Sequence, residues 1–315
     1  MSDPAQDVDL SNDWPDVGVV LVTHDRPVLM RAALDSILAQ DYPGRIHVVV
    51  VFDRTEPDGS LVRATEEARR VSVITNTRSP GLAGARNSGV MAFDTELVAF
   101  CDDDDTWLDG KLTAQVRRLS ATHGARFVTT AMRVDWGAKS VERVVGREMV
   151  TLDDLARSRM AMLHSSSFLF KRLAMLEEFG LVNESLPRSM AEDWDLLLRA
   201  ARVAPIAHVD RPLVGIRWGA ASYFNEAWRD KNEAHAWLLD RHPEFAADRT
   251  GAALLYGKLA FGHAALGERT EALGWIRRCM ARRPLERRWA LALLVLFGVP
   301  ASWIQRELNR RGHGI

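Results

Sequence analysis

Cysteine is scarce in this chain of 315 residues. Cys101 and Cys279 are too few and too far apart for a disulfide framework or a thiolate metal site, and a reducing compartment is the simplest setting. Net charge is nearly absent too, since 41 Lys and Arg stand against 42 Asp and Glu. That balance argues against a nucleic-acid binder with a basic surface all over. Long apolar runs are also missing. The longest, residues 289–304, is broken by Gly298 and Pro300 and falls short of the ~20 residues of a spanning helix. Residues 1–15 are polar and acidic, so no signal peptide is expected there. A hydrophobic content of 47% excludes long disorder.

The small total charge hides an asymmetry. Residues 269–315 hold ten Arg and three Glu, a surplus of seven positive charges that leaves a deficit of eight on the rest. The two ends of the chain are therefore expected to meet different partners.

Short apolar runs alternate with helical stretches over the first 110 residues. Val17–Thr23 reads as a buried strand, 26–40 as a helix, 47–52 as a strand, 61–70 as a helix and 71–76 as a strand. A helix over 83–93 and a strand over 97–101 follow. This alternation predicts an α/β fold with a doubly wound, mostly parallel sheet. Near-continuous apolar strands suit a sheet covered on both faces. Further on, 111–121 and 192–203 read as helices and 126–136 and 166–171 as strands. From residue 226 onward the pattern is helical only, and 260–284 reads as a helical pair. The expected division is a tail over 1–15, a domain over 16–225 and a helical region over 226–315.

The chemistry starts at Asp102-Asp103-Asp104-Asp105, directly after the fourth strand. Ligands of open α/β sheets bind beyond the carboxyl ends of the strands. Adjacent carboxylates repel one another, and oxygen donors suit Mg²⁺ or Mn²⁺. Asp102 and Asp104 point the same way on an extended chain. A solvated acidic turn is the plain alternative. Two signatures fit the run: the D-x-D of nucleotide-sugar glycosyltransferases, and the hhhhDxDx[TV] of one class of phosphohydrolases. Spacing alone does not separate them.

The surrounding motifs do. Val22-Thr23-His24-Asp25-Arg26-Pro27, then residues 34–43 (LDSILAQDYP), Asp53 after the second strand, Gly84-Ala85-Arg86-Asn87-Ser88-Gly89, the Asp run with Thr106-Trp107 and Lys111-Leu112, and Glu192-Asp193-Trp194-Asp195-Leu196 with Arg199 occur in that order. In this order the segment 16–220 resembles family 2 glycosyltransferases of the GT-A fold. The dehalogenase-type alternative places its nucleophile on the first strand, whereas three strand–helix units precede Asp102 here.

The resemblance implies an inverting, metal-dependent transfer of a sugar from a nucleotide-diphosphate donor to a carbohydrate or lipid-linked acceptor, in envelope or polysaccharide synthesis. Asp193 would be the general base, with Glu192 beside it. Thr23, Arg26, Asp53, Gly84, Arg86, Asp102, Asp103 and Arg217 would bind the nucleotide sugar, and Asp104 with Asp102 would hold the metal. Arg26 has an equal reading as a solvated first-turn residue. His164-Ser165-Ser166-Ser167 sits where the family lines its acceptor pocket, and a satisfied buried His is the other reading. Trp218 suits either sugar stacking or the core. Asp195 and Arg199 read as structural. A non-catalytic sugar-nucleotide or glycan-binding scaffold is the competing class.

Arginines over 277–311 flank the apolar stretch 289–304. Such a segment fits a helix lying in an anionic membrane interface, which would make the protein cytoplasmic and peripheral at the inner face of the membrane. Docking of the apolar face on the rest of the chain and homodimerisation are the other uses of it. No nucleic-acid partner is expected.

Overall fold

A computed structural model describes residues 14–63, 68–136, 139–217 and 227–310. Trp218, Arg311 and the acidic tail before residue 14 lie outside that set. Two compact units divide the chain. The first is drawn from Met1–Leu152, Met160–Glu184 and Glu192–Gly219, and the second from Asp153–Arg159, Ser185–Ala191 and Ala220–Ile315.

The first unit is a mixed α/β structure around one sheet of ten strands. Its strands are β1 (Val17–Thr23), β2 (Ile46–Phe52), β3 (Arg69–Thr75), β4 (Leu97–Asp102), β5 (Thr106–Trp107), β6 (Phe127–Trp136), β7 (Lys139–Arg143), β8 (Met149–Val150), β9 (Leu169–Lys171) and β10 (Ile206–Arg217). The order is β3-β2-β1-β4-β9-β6-β10-β5, with β7 on β6 and β8 on β10. Along β3-β2-β1-β4 every pairing is parallel. Every residue of β1 is buried, as a central strand covered on both faces requires.

Helix α1 (Pro27–Leu38) joins β1 to β2 and buries Met30, Ala33, Leu34 and Ile37, a three-and-four spacing that keeps one stripe on the sheet. Helix α2 (Leu82–Met91) precedes β4, and α3 (Lys111–Ala121) precedes β6. Two short helices follow, α4 (Leu152–Arg157) and α5 (Arg172–Ala174), and then α6 (Glu192–Val203).

Among the described residues of 61–70, the expected helix is not formed. Its start is a single 3₁₀ turn, Gly59–Leu61, capped by the Asp58 side chain. Its end belongs to β3, where Arg69 and Arg70 pair with Ile46 and His47. Residues 64–67 lie outside the described set. Tertiary pairing overrides a short periodicity here. The Arg69 guanidinium also donates to the carbonyls of Gln40, Tyr42 and Gly44, tying the strand to the turn after α1.

The strand expected over 166–171 is shorter than its pattern suggested. Ser165–Ser167 forms a 3₁₀ turn, and only Leu169–Lys171 pairs, antiparallel to both β4 and β6. Strand β10 escaped the sequence reading because its register on β6 is irregular between Val209 and Val214. Pro212 lies in that stretch, and proline lacks the N–H a regular ladder needs.

The second unit is helical: all of α4 after Leu152 belongs to it, with α7 (Trp228–Arg241), α8 (Pro243–Ala247), α9 (Arg249–Ala265), α10 (Arg269–Arg282), α11 (Arg287–Leu296) and α12 (Ala301–Arg310). Helix α9 is its centre and buries Ala, Gly, Leu and Phe along most of its length. Asp248 caps it, accepting 2.9 Å bonds from the backbone N–H of Thr250 and Gly251. The apolar stretch 289–304 is split at Gly298 and Pro300 between α11 and α12. No described helix is long and apolar enough to cross a membrane.

Helix α2 lies directly on β1, because a Cβ on Gly89 would collide with the Val20 side chain. The Gly89→Ala variant should lose about 1–3 kcal/mol through overpacking, read as a lower urea midpoint at unchanged slope.

Candidate active site

Parallel pairing sets like ends of strands side by side. The carboxyl ends of β2, β1 and β4 are neighbours, so Asp53, Thr23 and Asp102 reach one rim of the sheet although they are far apart in sequence.

The Thr23 hydroxyl donates to Asp103 Oδ2 at 3.0 Å. Arg26 Nη1 donates to Asp103 Oδ1 at 3.2 Å and to Asp104 Oδ2 at 2.8 Å. Arg26 thus touches the acidic run while 46% of its side chain stays exposed. Asp104 is the exposed carboxylate of the run, at 38% of its side-chain surface. Asp25, just before Arg26, has φ 58, a left-handed backbone conformation that few non-glycine residues adopt.

Asp53 is 3% exposed and fully engaged. It accepts from Asn76 Nδ2 at 2.8 Å, from the Gly81 N–H at 3.1 Å and from Arg54 Nε at 2.9 Å. Burial opposes its ionisation, but these donors outweigh burial and hold its carboxyl below the usual range. Asp53 therefore clips the end of β2 to the loop that opens α2. Asn76 was not singled out from sequence, although a polar residue at the carboxyl end of an apolar strand was the available signal.

Gly84 sits in the first turn of α2, where a Cβ would run into the Ser79 carbonyl oxygen. Glu184 seals the same loop. It accepts from the Ser79 hydroxyl at 2.6 Å and from Asn87 Nδ2 at 2.7 Å, and it pairs with Arg78. Burial alone would raise its carboxyl, yet these donors bring it down to about 2.

Arg86 is the most constrained cation of the site. Its side chain is 2% exposed, with Nη2 2.7 Å from Asp102 Oδ1 and Nη1 2.7 Å from Glu192 Oε1. The guanidinium also lies 5.3 Å from the centre of the Phe100 ring. Buried between two carboxylates, Arg86 joins α2, β4 and α6 and does not face solvent. Burial disfavours its charge, but Asp102 and Glu192 outweigh burial and hold it protonated.

Asp102 spends its other oxygen on the Ser165 hydroxyl, at 2.9 Å. The Ser166 hydroxyl accepts from the Asp102 N–H at 3.0 Å and donates to Asp105 Oδ2 at 2.5 Å. His164 Nδ1 is 3.3 Å from the same Asp105 oxygen. The 164–167 segment, read from sequence as pocket lining or as core, thus sits against the acidic run. Ligand atoms of Asp102, Asp105 and His164 lie within 4.8 Å of one another. Burial, together with the charges of Asp102 and Asp104, pushes Asp105 up to about 7 although His164 opposes this. A carboxyl destabilised in this way is relieved by a cation, so the donor set fits a divalent ion. Carboxylate oxygens with one imidazole suit Mn²⁺ at least as well as Mg²⁺.

Beneath the run, Lys111 is fully buried. Its ammonium donates to Gln115 at 2.7 Å and lies 3.8 Å from the centre of the Trp107 ring. Burial lowers it to about 7.

The two acids that open α6 differ in setting. Glu192 is buried on Arg86, whereas Asp193 is half-buried. The preceding residue, Ala191, has φ 61, a left-handed conformation that costs an alanine about 1 kcal/mol. Asp195 and Arg199 pair at 2.9 Å, and Arg199 also holds the carbonyls of Gly180 and Leu181. Arg217 is exposed at the end of β10, with its charge acting on Asp135.

A sequence model described as "Glycosyl transferase family 2" matches residues 18–175 of this chain. The chain belongs to that family. The phosphohydrolase reading of the Asp run falls with this result. An uncharacterized glycosyltransferase of Rickettsia felis is 25% identical over 206 residues, which are 64% of this chain and 33% of that protein. An Escherichia coli protein, the UDP-Glc:alpha-D-GlcNAc-diphosphoundecaprenol beta-1,3-glucosyltransferase WfgD, is 28% identical over 101 residues, 32% of this chain and 39% of its own. The chain thus spans about a third of the length of these curated relatives. Among solved structures, S. aureus TarS in complex with UDP-GlcNAc superposes with a TM-score of 0.62 at 18% identity, covering 95% of this chain and 92% of that one. The mannosyltransferase PcManGT of Pyrobaculum calidifontis, in complex with GDP-Man and Mn²⁺, superposes at 0.56 and 21% identity over 94% and 88%. The family 2 chain therefore has the GT-A fold, with a helical C-terminal region.

Burial and the adjacent Asp193 push Glu192 up to about 7, with Arg86 opposing. An unfolded Glu titrates near ~4.3. A raised folded value contributes stability that is full below the unfolded pKa and is lost as pH rises through about 7. Urea unfolding at pH 5, 6.5 and 8 should show stability falling across this window, and Glu192→Gln should flatten the fall. An unchanged slope in the variant would contradict this setting of Glu192.

Proposed function

We propose that this glycosyltransferase transfers a sugar with inversion from a nucleotide-diphosphate donor to an acceptor hydroxyl, using residues 16–225 as its catalytic domain. The observation that supports this most is the convergence of Thr23, Asp53 and the Asp run at one sheet rim, with Asp102 tied through Arg86 to Glu192, next to Asp193. Asp193, half-buried in the first turn of α6, takes the proton from the attacking hydroxyl. Glu192, engaged with Arg86, positions it. General-base catalysis of this kind is worth about 10²–10⁴-fold in rate.

Thr23, Arg26, Asp53 and Asp103 form the nucleotide side of the site, and Arg86 positions Asp102. Arg217 would contribute from the end of β10. Asp102, Asp104, Asp105 and His164 would hold Mg²⁺ or Mn²⁺. A bound divalent ion supplies charge neutralisation at the diphosphate leaving group. For Arg26, this makes Asp103 and Asp104 its partners before the donor arrives and leaves its guanidinium available to phosphate afterwards.

The WfgD name describes a diphosphoundecaprenol-linked sugar as that enzyme's acceptor. We extend this to a carbohydrate or lipid-linked acceptor here, in envelope or polysaccharide synthesis. The helical unit supports delivery to such an acceptor at the inner face of a membrane. Leu285, Phe297 and Trp303 are exposed at 88%, 82% and 56%, beside Arg282, Arg283, Arg287 and Arg306. Aromatic and aliphatic side chains among arginines suit an anionic lipid interface.

Two experiments test this reading. With a panel of nucleotide sugars and Mn²⁺, wild type should release nucleotide in the presence of acceptor. Asp193→Asn should lower kcat by at least about 10²-fold while donor binding persists, and a chelator should abolish turnover. Donor binding without turnover in the wild type would instead support a non-catalytic scaffold. In sedimentation with anionic liposomes, the full chain should pellet, and Leu285→Ser/Phe297→Ser should reduce pelleting. Equal pelleting of both proteins rules out this membrane face, and concentration-dependent self-association lost in the same variant assigns the face to a dimer.

A further inference from the structure

The Ser165–Ser167 turn meets the acidic run on one side and is gripped from behind on the other. In front, the Ser165 hydroxyl donates to Asp102 at 2.9 Å. The Ser166 hydroxyl joins the Asp102 N–H to Asp105, and His164 Nδ1 is 3.3 Å from Asp105. Behind, two side chains from the segment after the run reach the carbonyls of the turn. Trp107 Nε1 donates to the Ser166 carbonyl at 3.0 Å, and Gln115 Nε2 donates to the Ser167 carbonyl at 2.7 Å. Gln115 Nε2 also donates to the Val128 carbonyl of β6 at 3.2 Å.

Gln115 is fully buried, so each polar atom of its amide needs a partner. Lys111 lies one turn earlier on α3 and is fully buried as well. Its ammonium donates to Gln115 Oε1 at 2.7 Å and lies over the Trp107 ring. An ammonium can only donate. Lys111 therefore turns the amide oxygen toward itself and leaves the amide hydrogens for Val128 and Ser167. The reversed amide would set its oxygen against two carbonyl oxygens and its hydrogens against a cation. A single arrangement of Lys111, Gln115 and Trp107 satisfies all of these groups, and it fixes where the turn stands.

Burying an ammonium is costly, and apolar groups of the same shape can replace two hydrogen-bonded partners at nearly no loss of stability. A saturated polar network supplies rigidity of position instead. The groups positioned here are those whose ligand atoms, on Asp102, Asp105 and His164, lie within 4.8 Å of one another. We propose that Gln115, with its amide oriented by Lys111, is a positioning residue for a divalent cation. It holds the Ser165–Ser167 turn so that His164 meets Asp102 and Asp105 at the spacing one ion requires. This rests on the reading that these three residues hold the metal. Hydrogen-bond partners that orient metal ligands set metal affinity by about 10–100-fold.

Mn²⁺ binding to the full chain, without donor or acceptor, tests the proposal. Pulsed EPR of the wild-type Mn²⁺ complex should show nitrogen modulation from an imidazole, and His164→Gln should remove it. Gln115→Glu keeps the size of the side chain and an acceptor for Lys111 but has no N–H for Ser167. It should bind Mn²⁺ at least about tenfold more weakly and lose the modulation, while its near-UV circular dichroism stays that of the wild type. Lys111→Met removes the buried charge, which spares the fold, and should weaken Mn²⁺ binding in the same direction. Wild-type affinity in both variants overturns the proposal. So does a wild-type complex without nitrogen modulation, or with modulation that survives His164→Gln. A wild type that binds no Mn²⁺ instead removes the metal reading itself, and the proposal with it.

Discussion

One buried guanidinium organises the candidate active site. Arg86 sits on α2 and holds Asp102 at the end of β4 and Glu192 at the start of α6. These elements come from distant parts of the chain, and the sheet alone does not set how α6 meets β4. Removing one partner of a buried ion pair costs about 3–5 kcal/mol, because the remaining charge is left uncompensated. Three charges in one network make such loss mutual. Arg86 therefore behaves as a positioning residue. It keeps Asp102 ionised against burial and holds Glu192 beside Asp193.

The acidic run divides its work by environment. Asp103 and Asp104 are held by Arg26, Asp102 by Arg86 and Ser165, and Asp105 by Ser166. Asp102 is thereby held low, while burial raises Asp103 and Asp105. The raised Asp105 marks where the local field lacks positive charge, and Asp102 and His164 stand beside it. The helical unit shows the reverse case, where the charges of several basic residues act on His235 and Lys258.

Much of this fold is legible in the chain, because buried parallel strands must be apolar along their whole length. Runs such as VGVVLVT and the LVAFC of β4 have no other stable placement, and the family motifs appear in order between them. The errors came where pairing outweighed local pattern. Arg69 and Arg70 read as helix but complete the ladder on β2. Strand β10 carries Pro212 and an irregular register, so its alternation is not clean enough to recognise.

By itself, then, the sequence determined which strands are buried, where the acids cluster and which family the chain resembles, since these follow from residue type and near-neighbour spacing. Only the tertiary structure decided what each charged side chain touches. Arg86 was expected at the nucleotide sugar, and the fold sets it between the carboxylates of Asp102 and Glu192. The 164–167 segment read as pocket lining or core and sits against Asp102 and Asp105. The reason is physical: a side chain's charge state and partners depend on burial and on groups many residues away, and no local pattern encodes either.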